Sequence, residues 1–363
     1  MRQKNYSKIL VINPYGIGDV LFTTPLISNL REFYPKSKID VVLGSRTKQI
    51  LEFNSDISKI HVFDKGFFDK LSFLRRWQYL MEFCRCIREE KYELLIDLSN
   101  SSQYGFIEKF FLRIPERIGF NYKGRGRHLT HHIDLTSFSS KHVVDYYLSL
   151  LTLLNMVPAN KPLRFPLRQN SIDKVGKYLI SKGIEEENLL ITLVPAGGLS
   201  WSDKASYKQW PQEKYAQLAD ELILKLNAKV IITGGECDRD ICRNVMNLMK
   251  SKDVEVICNF SILEFAALCN LSNLVICNDG GPLHVAVSQK TPTISFFGPV
   301  DEKVYGPYPP QEIHAVITSE IECRPCYKSF KFTECGTKNC LNSIEVDKAF
   351  CKARQMLQIT YNI

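Results

Sequence analysis

The chain has 363 residues, 45% of them apolar and 24% charged, and a net charge of +8. This composition is typical of a globular protein, and no apolar run reaches the ~18 residues of a membrane span, so disordered and membrane-spanning classes are excluded. The length exceeds the ~250–300 residues at which one core usually divides, so we expect two domains. The N-terminal residues show no signal peptide, which predicts a cytoplasmic protein. The dispersed positive charge favours an anionic partner, or is simply a solvated surface.

The first half of the sequence alternates between short apolar runs and segments with helical periodicity. This alternation predicts parallel βαβ units with helices on both faces of a sheet. Strands are predicted at Lys8–Asn13, Lys38–Leu43, Lys59–Phe63 and Glu93–Leu98, and helices at Val20–Phe33, Ile50–Phe53, Phe73–Glu90 and Lys141–Met156. The basic, glycine-containing segment Arg113–His132 is predicted to be an irregular loop.

The second half repeats the alternation after a proline-containing linker, Pro158–Asn170. Strands are predicted at Asn188–Val194, Lys229–Thr233, Val254–Asn259, Leu274–Cys277 and Thr293–Phe296, and helices at Ser171–Lys182, Gln212–Leu226, Cys237–Met249, Ile262–Leu271, Leu283–Ser288 and about Ile344–Leu357. We therefore predict α/β domains over residues 1–165 and 166–345, with a C-terminal helix in 346–363 packing back on the N-terminal domain.

The stretch Asn278-Asp279-Gly280-Gly281-Pro282-Leu283-His284 follows an apolar strand and opens a helix. Proline is common in the first helical turn, and the free N–H groups at a helix start attract anions. Glycines let a phosphate approach the backbone, and the histidine can donate to it. The alternative is that Asp279 only caps the helix and His284 packs beneath it.

Three further turns follow strands and precede helices. Tyr15-Gly16-Ile17-Gly18-Asp19 lacks the third glycine of a dinucleotide fingerprint, which disfavours a dehydrogenase. Asp19 is then either a helix cap or an ionised carboxylate able to accept a proton. In Tyr207-Lys208-Gln209-Trp210-Pro211, the lysine either neutralises a diphosphate or is solvated. In Gly234-Gly235-Glu236-Cys237-Asp238, either acid can bind ribose hydroxyls or cap a helix.

Together these turns resemble those of the ADP-heptose:lipopolysaccharide heptosyltransferases, glycosyltransferase family 9. The resemblance covers almost the whole chain, and "NDGGPLHVAVSQKTPTISFFGP" is its most specific part. It implies the GT-B fold: two Rossmann-like domains facing a central cleft, the first binding the acceptor and the second the nucleotide sugar. Family members often carry Thr or Ser at the place of Gly280 and Glu at that of Asp238, and these departures leave the donor open.

The resemblance also implies roles for individual residues. Asp19 is the general base, and Lys208, Asp238 (or Glu236), Asp279, Gly280, Gly281 and His284 bind the donor. We predict acceptor binding by Gly18, Arg125 and Arg127, because the basic segment Arg113–His132 is suited to anionic groups on a lipid-linked saccharide.

Four cysteines near the C-terminus, Cys323, Cys326, Cys335 and Cys340, have the spacing C-x2-C-x8-C-x4-C. In a reducing compartment such a group predicts a structural zinc or iron site, with disulfides or free thiols as alternatives. Nearby lysines are expected to lower the thiol pKa values. A site closed by four thiolates would not be catalytic.

These observations predict an inverting, metal-independent glycosyltransferase that moves heptose from ADP-heptose to a lipopolysaccharide core acceptor. It would need no catalytic cofactor, would not bind nucleic acid and would visit the inner face of the inner membrane as a peripheral protein. The alternatives are a GT-B transferase with another donor and acceptor, or a non-catalytic nucleotide- or nucleic-acid-binding module.

Overall fold

The computed structural model describes residues 4–197 and 202–361. The chain divides into an N-terminal unit, Met1–Arg164, and a C-terminal unit, Phe165–Ile363. The division falls inside the proline-containing linker. Among the described residues, no helix has both the length and the apolar character needed to cross a membrane.

The N-terminal unit is built on a six-stranded parallel sheet with the strand order β3-β2-β1-β4-β5-β6. Its strands are β1 Lys8–Ile12, β2 Lys38–Gly44, β3 Lys59–Phe63, β4 Leu94–Asp97, β5 Glu116–Asn121 and β6 His131–Asp134. Its helices are α1 Ile17–Phe33, α2 Lys48–Leu51, α3 Lys65–Lys70, α4 Phe73–Glu89, α5 Ser102–Ile107 and α6 Val143–Ser149. A π-helical turn, Glu108–Leu112, continues α5, and 3-10 turns cover Ser45–Thr47, Arg125–His128 and Leu150–Leu154.

The C-terminal unit contains a second parallel sheet, with the order β12-β11-β10-β7-β8-β9. Its strands are β7 Leu190–Val194, β8 Lys229–Thr233, β9 Val254–Ile257, β10 Leu274–Asn278, β11 Thr293–Phe296 and β12 His314–Ile317. Its helices are α7 Gln169–Ser181, α8 Gln212–Leu226, α9 Arg239–Leu248, α10 Ile262–Leu271, α11 Gly281–Ser288, α12 Glu302–Tyr305, α13 Asn339–Asn342 and α14 Val346–Tyr361. Two 3-10 turns, Ser202–Lys208 and Glu236–Asp238, follow β7 and β8.

Both sheets have the same topology, because in each the first strand lies beside the fourth. In the N-terminal unit β1 pairs with β2 and β4, and in the C-terminal unit β7 pairs with β8 and β10. This is the Rossmann strand order, and ligands bind such sheets where the order reverses, at the carboxyl ends of the strands. The predicted α/β class with two Rossmann-like units is confirmed. The topology directs attention to the residues after β1 and β4 and after β7 and β10.

Buried aliphatic strands hold each unit together. Strands β7 and β10 are buried along their whole length and lie between layers of helices, as expected for a parallel sheet covered on both faces. Helix α14 packs on α8, and its apolar face, which includes Ala349, Ala353 and Met356, belongs to the core of the C-terminal unit. The apolar face of this helix thus packs within its own unit, and the predicted packing of the helix on the N-terminal domain stays a prediction.

The basic segment is more ordered than the sequence predicts. Residues 113–132 contain strand β5 and the whole 3-10 turn Arg125–His128, and their last two residues begin strand β6, so the predicted irregular loop is wrong over much of its length. Strand β5 escapes detection because charged residues begin it and a glycine, Gly119, interrupts its apolar side chains. A Cβ at Gly119 would lie 2.7 Å from the carbonyl oxygen of Asp97, so the sheet requires glycine there.

Candidate active site

Helix α11 starts at the point where strand order reverses in the C-terminal unit. Strand β10 ends at Asn278, Asp279 follows, and Gly280 is the residue that caps α11. The side chains of Asp279 and His284 are both buried. The predicted anion-binding turn therefore lies at the edge of the sheet where the topology favours a ligand.

Lys208 reaches the same turn from a different part of the chain. It ends the 3-10 turn Ser202–Lys208, and its Nζ lies 2.7 Å from Oδ2 of Asp279. The two side chains are only 10% and 5% exposed, so this is a buried ion pair. The structure thus brings together a lysine and an acid that the sequence analysis assigns separately to the donor.

A buried asparagine, Asn278, fixes the lysine segment to the sheet. The backbone N–H of Trp210 donates to Oδ1 of Asn278 at 2.9 Å, and Nδ2 of Asn278 donates to the carbonyl of Pro195 at 2.8 Å. The indole of Trp210 stacks on Phe296, with ring centroids 4.2 Å apart. Asn278 is a positioning residue that the sequence analysis does not identify. The sequence signal that could have identified it is an asparagine directly after the apolar run Leu274–Cys277.

Gly280 has a backbone conformation that favours glycine. Its φ is +156°, and a Cβ there would lie 3.0 Å from the carbonyl oxygen of Gly197. A Thr or Ser at this place, which the family resemblance leads one to expect, would need a shift of this backbone. The glycine therefore allows this turn to pack closely against the backbone that follows β7. Gly198, the second glycine after that strand, lies outside the described residues.

Asp238 follows β8, the neighbour of β7 on the side opposite β10. Its Oδ2 accepts from the backbone N–H of Gly235 at 3.0 Å, so it caps the start of a helical segment. Burial raises the pKa of the Asp238 carboxyl above its ordinary value. Glu236 is exposed and forms an ion pair with Arg239 at 2.7 Å. Both acids lie at the same edge of the sheet as Lys208, and the choice between them as ribose ligand stays a prediction.

Asp19 lies in the first turn of α1, in the N-terminal unit. Its Oδ2 accepts from the backbone N–H of Gly16 at 3.3 Å, so the capping role is present in the structure. The side chain is half-buried. Asn13, after β1, donates to the carbonyl of Asp19 at 2.9 Å and to Oγ1 of Thr23 at 2.7 Å. This asparagine, also missed by the sequence analysis, fixes the backbone that carries Asp19 and Gly18.

Arg125 is buried, which differs from the exposed loop position expected of it. Its side chain has no exposed surface and forms an ion pair with Asp97, and Oε2 of Glu108 lies 3.6 Å from its Nη2. Burial raises the pKa of Glu108 to about 8. This group is an internal electrostatic cluster of the N-terminal unit, and a guanidinium in that position does not suit direct contact with an acceptor.

Arg127, two residues further on, is exposed and suits the predicted acceptor role better. Its Nε lies 3.2 Å from Nε2 of His128, and its carbonyl accepts from Nζ of Lys109 at 3.1 Å. Of the two arginines assigned to the acceptor, only Arg127 presents its side chain at the surface.

The four C-terminal cysteines surround one cavity of about 200 Å³, also lined by Arg324 and Lys338. Within residues 4–197 and 202–361, no group of three or more His, Cys, Asp or Glu side chains is arranged to hold a metal ion, so the predicted zinc or iron site is not supported. All four are free thiols, and Cys340 is buried in the hydrophobic core.

The expected effect of the lysines on the thiols is only partly met. Burial raises the pKa of Cys326 and of Cys340. The pKa of Cys335 is lowered, and the largest cause is the backbone N–H of Lys338 rather than its ammonium group.

Two Rossmann-like units in one chain are the architecture of the GT-B fold. The sequence profile described as glycosyltransferase family 9 (heptosyltransferase) matches residues 80–335. This is more than half of the chain, and the chain belongs to that family. It is therefore a glycosyltransferase.

Characterised relatives and solved structures agree with this assignment. The chain is 25% identical to lipopolysaccharide heptosyltransferase 3 of Escherichia coli K12, over 80% of this chain and 82% of the relative. It is also 25% identical to lipooligosaccharide heptosyltransferase 2 of Haemophilus ducreyi, over 87% and 89%. The structure resembles the family 9 glycosyltransferase of Veillonella parvula, with a TM-score of 0.83, 25% identity and 99% of both chains covered. It shares the fold of Escherichia coli heptosyltransferase WaaC with ADP, with a TM-score of 0.72, 15% identity and 96% and 99% covered.

Proposed function

We propose that this chain transfers heptose from ADP-heptose to a lipopolysaccharide core acceptor, with inversion at the anomeric carbon. The observation that carries the proposal is the buried Lys208–Asp279 pair at the start of α11, which provides a cation and free backbone N–H groups where a diphosphate would bind. Family membership supports heptose, and the similarly folded WaaC, solved with ADP, supports the nucleotide.

In the proposed reaction, Asp19 accepts the proton of an acceptor hydroxyl. The hydroxyl oxygen then bonds to the anomeric carbon from the face opposite the diphosphate. The bond from that carbon to the diphosphate oxygen breaks, and ADP leaves with the electron pair. Lys208, His284 and the first turn of α11 stabilise the negative charge on the departing diphosphate, so this scheme assigns no catalytic step to a metal or other cofactor.

The acceptor, a saccharide carried on a lipid, binds in this proposal to the N-terminal unit. Gly18 leaves room beside Asp19, and Arg127 binds an anionic group of the saccharide. An enzyme with such a substrate acts in the cytoplasm, at the inner face of the inner membrane.

The exchange Asp19→Asn tests the base. Asparagine keeps an oxygen that can accept from Gly16, so the start of α1 is retained, but the amide cannot take up the proton. We expect ADP binding, measured by calorimetry, to be unchanged. The rate at which ADP is released from ADP-heptose when acceptor is added should fall about 10²–10⁴-fold. Asp64→Asn is the matched control, because Asp64 caps α3 of the same unit through Phe67 and has no assigned role. Turnover of Asp19→Asn at the wild-type rate would remove Asp19 from the mechanism.

Two observations favour a second candidate, a family 9 transferase with a different nucleotide sugar. Gly280 lacks the hydroxyl that the resemblance leads one to expect, and Asp238 is one methylene shorter than glutamate. Calorimetry with ADP, UDP and GDP distinguishes the candidates, because tighter binding of UDP or GDP than of ADP would replace ADP-heptose by the other donor. A non-catalytic module is disfavoured by membership in a transferase family.

A further inference from the structure

Helix α4 carries an apolar stripe that is covered at only one end. Phe73, Trp77, Leu80, Cys84 and Ile87 follow one another at spacings of four and three residues, so they lie on one face of the helix. Cys84 and Ile87, near the C-terminal end, are buried in the core of the N-terminal unit. Phe73 and Trp77, at the other end, are 83% and 52% exposed. The stripe therefore continues beyond the core that covers it.

Aromatic residues from the next helical segment extend this exposed region. Phe106 on α5 and Phe110 on the π-helical turn are exposed, and their rings are 4.7 Å apart. Phe111 connects them to α4, because its ring lies 5.8 Å from Trp77 and 6.2 Å from Phe106. With Leu74, which is also exposed, these side chains form one patch. We call it the aromatic surface and define it as Phe73, Leu74, Trp77, Phe106 and Phe110.

Exposed cations lie on the same segments. Lys109 lies 5.6 Å from the ring of Phe110, and Nε of Arg113 donates to the carbonyl of Phe110 at 3.3 Å. Lys109 also donates to the carbonyl of Arg127, so the basic 3-10 turn adjoins the aromatic surface.

Acidic residues near this surface are few or buried. Glu108, which precedes Lys109, is buried with Arg125. The exposed acids on the neighbouring helices are Asp69 on α3 and, on α4, Glu82 and Glu89, the last of which lies 3.9 Å from Arg85 at the far end of the helix. The region thus combines large apolar side chains with a cationic border. Trp and Phe inserted among headgroups, with Lys and Arg beside them, are characteristic of surfaces that bind anionic lipid.

We propose that the aromatic surface docks this protein on an anionic lipid bilayer. The side chains of Phe73, Leu74 and Trp77 enter the headgroup region, and Lys109 and Arg113 pair with lipid phosphates. This inference rests on the proposed function, because a lipid-linked acceptor would have to be met at a membrane. The proposal places the contact with the membrane at the N-terminal end of α4 and the π-helical turn after α5, beside Arg127.

The experiment is co-sedimentation of the full chain with vesicles, without nucleotide or acceptor. Vesicles of equal parts phosphatidylglycerol and phosphatidylcholine are compared with vesicles of phosphatidylcholine alone. We expect binding to the anionic vesicles only, and at least about tenfold weaker binding for the double variant Phe73→Ser/Trp77→Ser and for Lys109→Glu. These side chains are exposed, so the variants should fold, which circular dichroism checks. Leu224→Ser, a change at an 83% exposed residue of α8, is the matched control and should bind like wild type.

Several results would overturn the docking proposal. They are failure of the wild-type chain to sediment, wild-type binding by the double variant, and an equal loss in Leu224→Ser. A change from dimer to monomer in the double variant, seen by light scattering with vesicle binding unchanged, would assign the surface to a second copy instead. Transfer to a de-acylated, water-soluble acceptor separates the two proposals. If it proceeds while vesicle binding fails, only docking is wrong, and if vesicles bind while no transfer occurs, only the proposed function is wrong.

Discussion

Replacing Lys208 by methionine should destabilise the C-terminal unit strongly, because it leaves the buried carboxyl group of Asp279 without its cation. The pair distance is 2.7 Å, and the aspartate side chain is only 5% exposed, so water cannot replace the lost cation. Removing one partner of a buried ion pair costs about 3–5 kcal/mol. A typical protein is stabilised by ~5–15 kcal/mol, so this loss is large but smaller than the total, and the variant should still fold.

The measurement is urea denaturation without nucleotide, followed by circular dichroism, for Lys208→Met, Asp279→Asn and the double variant. Removing both charges should cost clearly less than Lys208→Met alone, because no unpaired charge remains, and the cycle gives the coupling energy. Lys229→Met is the matched control. Its partner Asp253 is 3.1 Å away and 69% exposed, so we expect a loss below about 1 kcal/mol. If Lys208→Met loses no more stability than this control, the Lys208–Asp279 pair does not stabilise the turn.

Two further exchanges test other parts of the C-terminal unit. Gly280→Ala should lower the free energy of unfolding, measured by urea denaturation, by about 1–3 kcal/mol and weaken ADP binding. The reason is that φ is +156° and the new Cβ would lie 3.0 Å from the carbonyl oxygen of Gly197. An alanine variant as stable as wild type would contradict this. Burial lowers the pKa of His314 to about 4, so the folded chain keeps this imidazole neutral while the unfolded chain takes up a proton below about pH 6.5. The contribution of the neutral His314 to the free energy of unfolding is thus lost as the pH falls from about 6.5 towards 4. In His314→Gln the free energy of unfolding should therefore fall less steeply over that range than in wild type. Equal slopes in the two proteins would show that His314 does not titrate in this way.

The central strands could be predicted from sequence because they are continuous apolar runs between glycine-rich turns. Strand β12, His314–Ile317, was missed, since its apolar run has only three residues and no helix follows it before Asn339 to complete the strand–helix alternation. Helix α5 and the π-helical turn after it were missed for a different reason. Their sequence places exposed phenylalanines beside a buried glutamate, Glu108, so the apolar pattern does not follow a helix buried on one face.

The site was predictable to the extent that it follows from parallel strands. The carboxyl ends of parallel strands lie at one edge of a sheet, so the turns after β8 and β10, the two neighbours of β7, had to lie at the same edge. The pairing of Lys208 with Asp279 was not predictable, because it depends on how the segment after β7 returns over the sheet. That path is set by Asn278 and by the stacking of Trp210 on Phe296, which are contacts between distant parts of the chain.

The anchoring of Trp210 also has a consequence for the order of assembly during synthesis. Its indole N–H donates to the carbonyl of Ile344 at 3.1 Å, and Lys214 donates to the same oxygen. All strands of both sheets precede Ile344 in the chain. During synthesis, these hydrogen bonds to the carbonyl of Ile344 therefore form only after every strand has been made. The C-terminal unit thus gains the hydrogen bond from Trp210 only after residue 344, which follows the last of its strands, has left the ribosome.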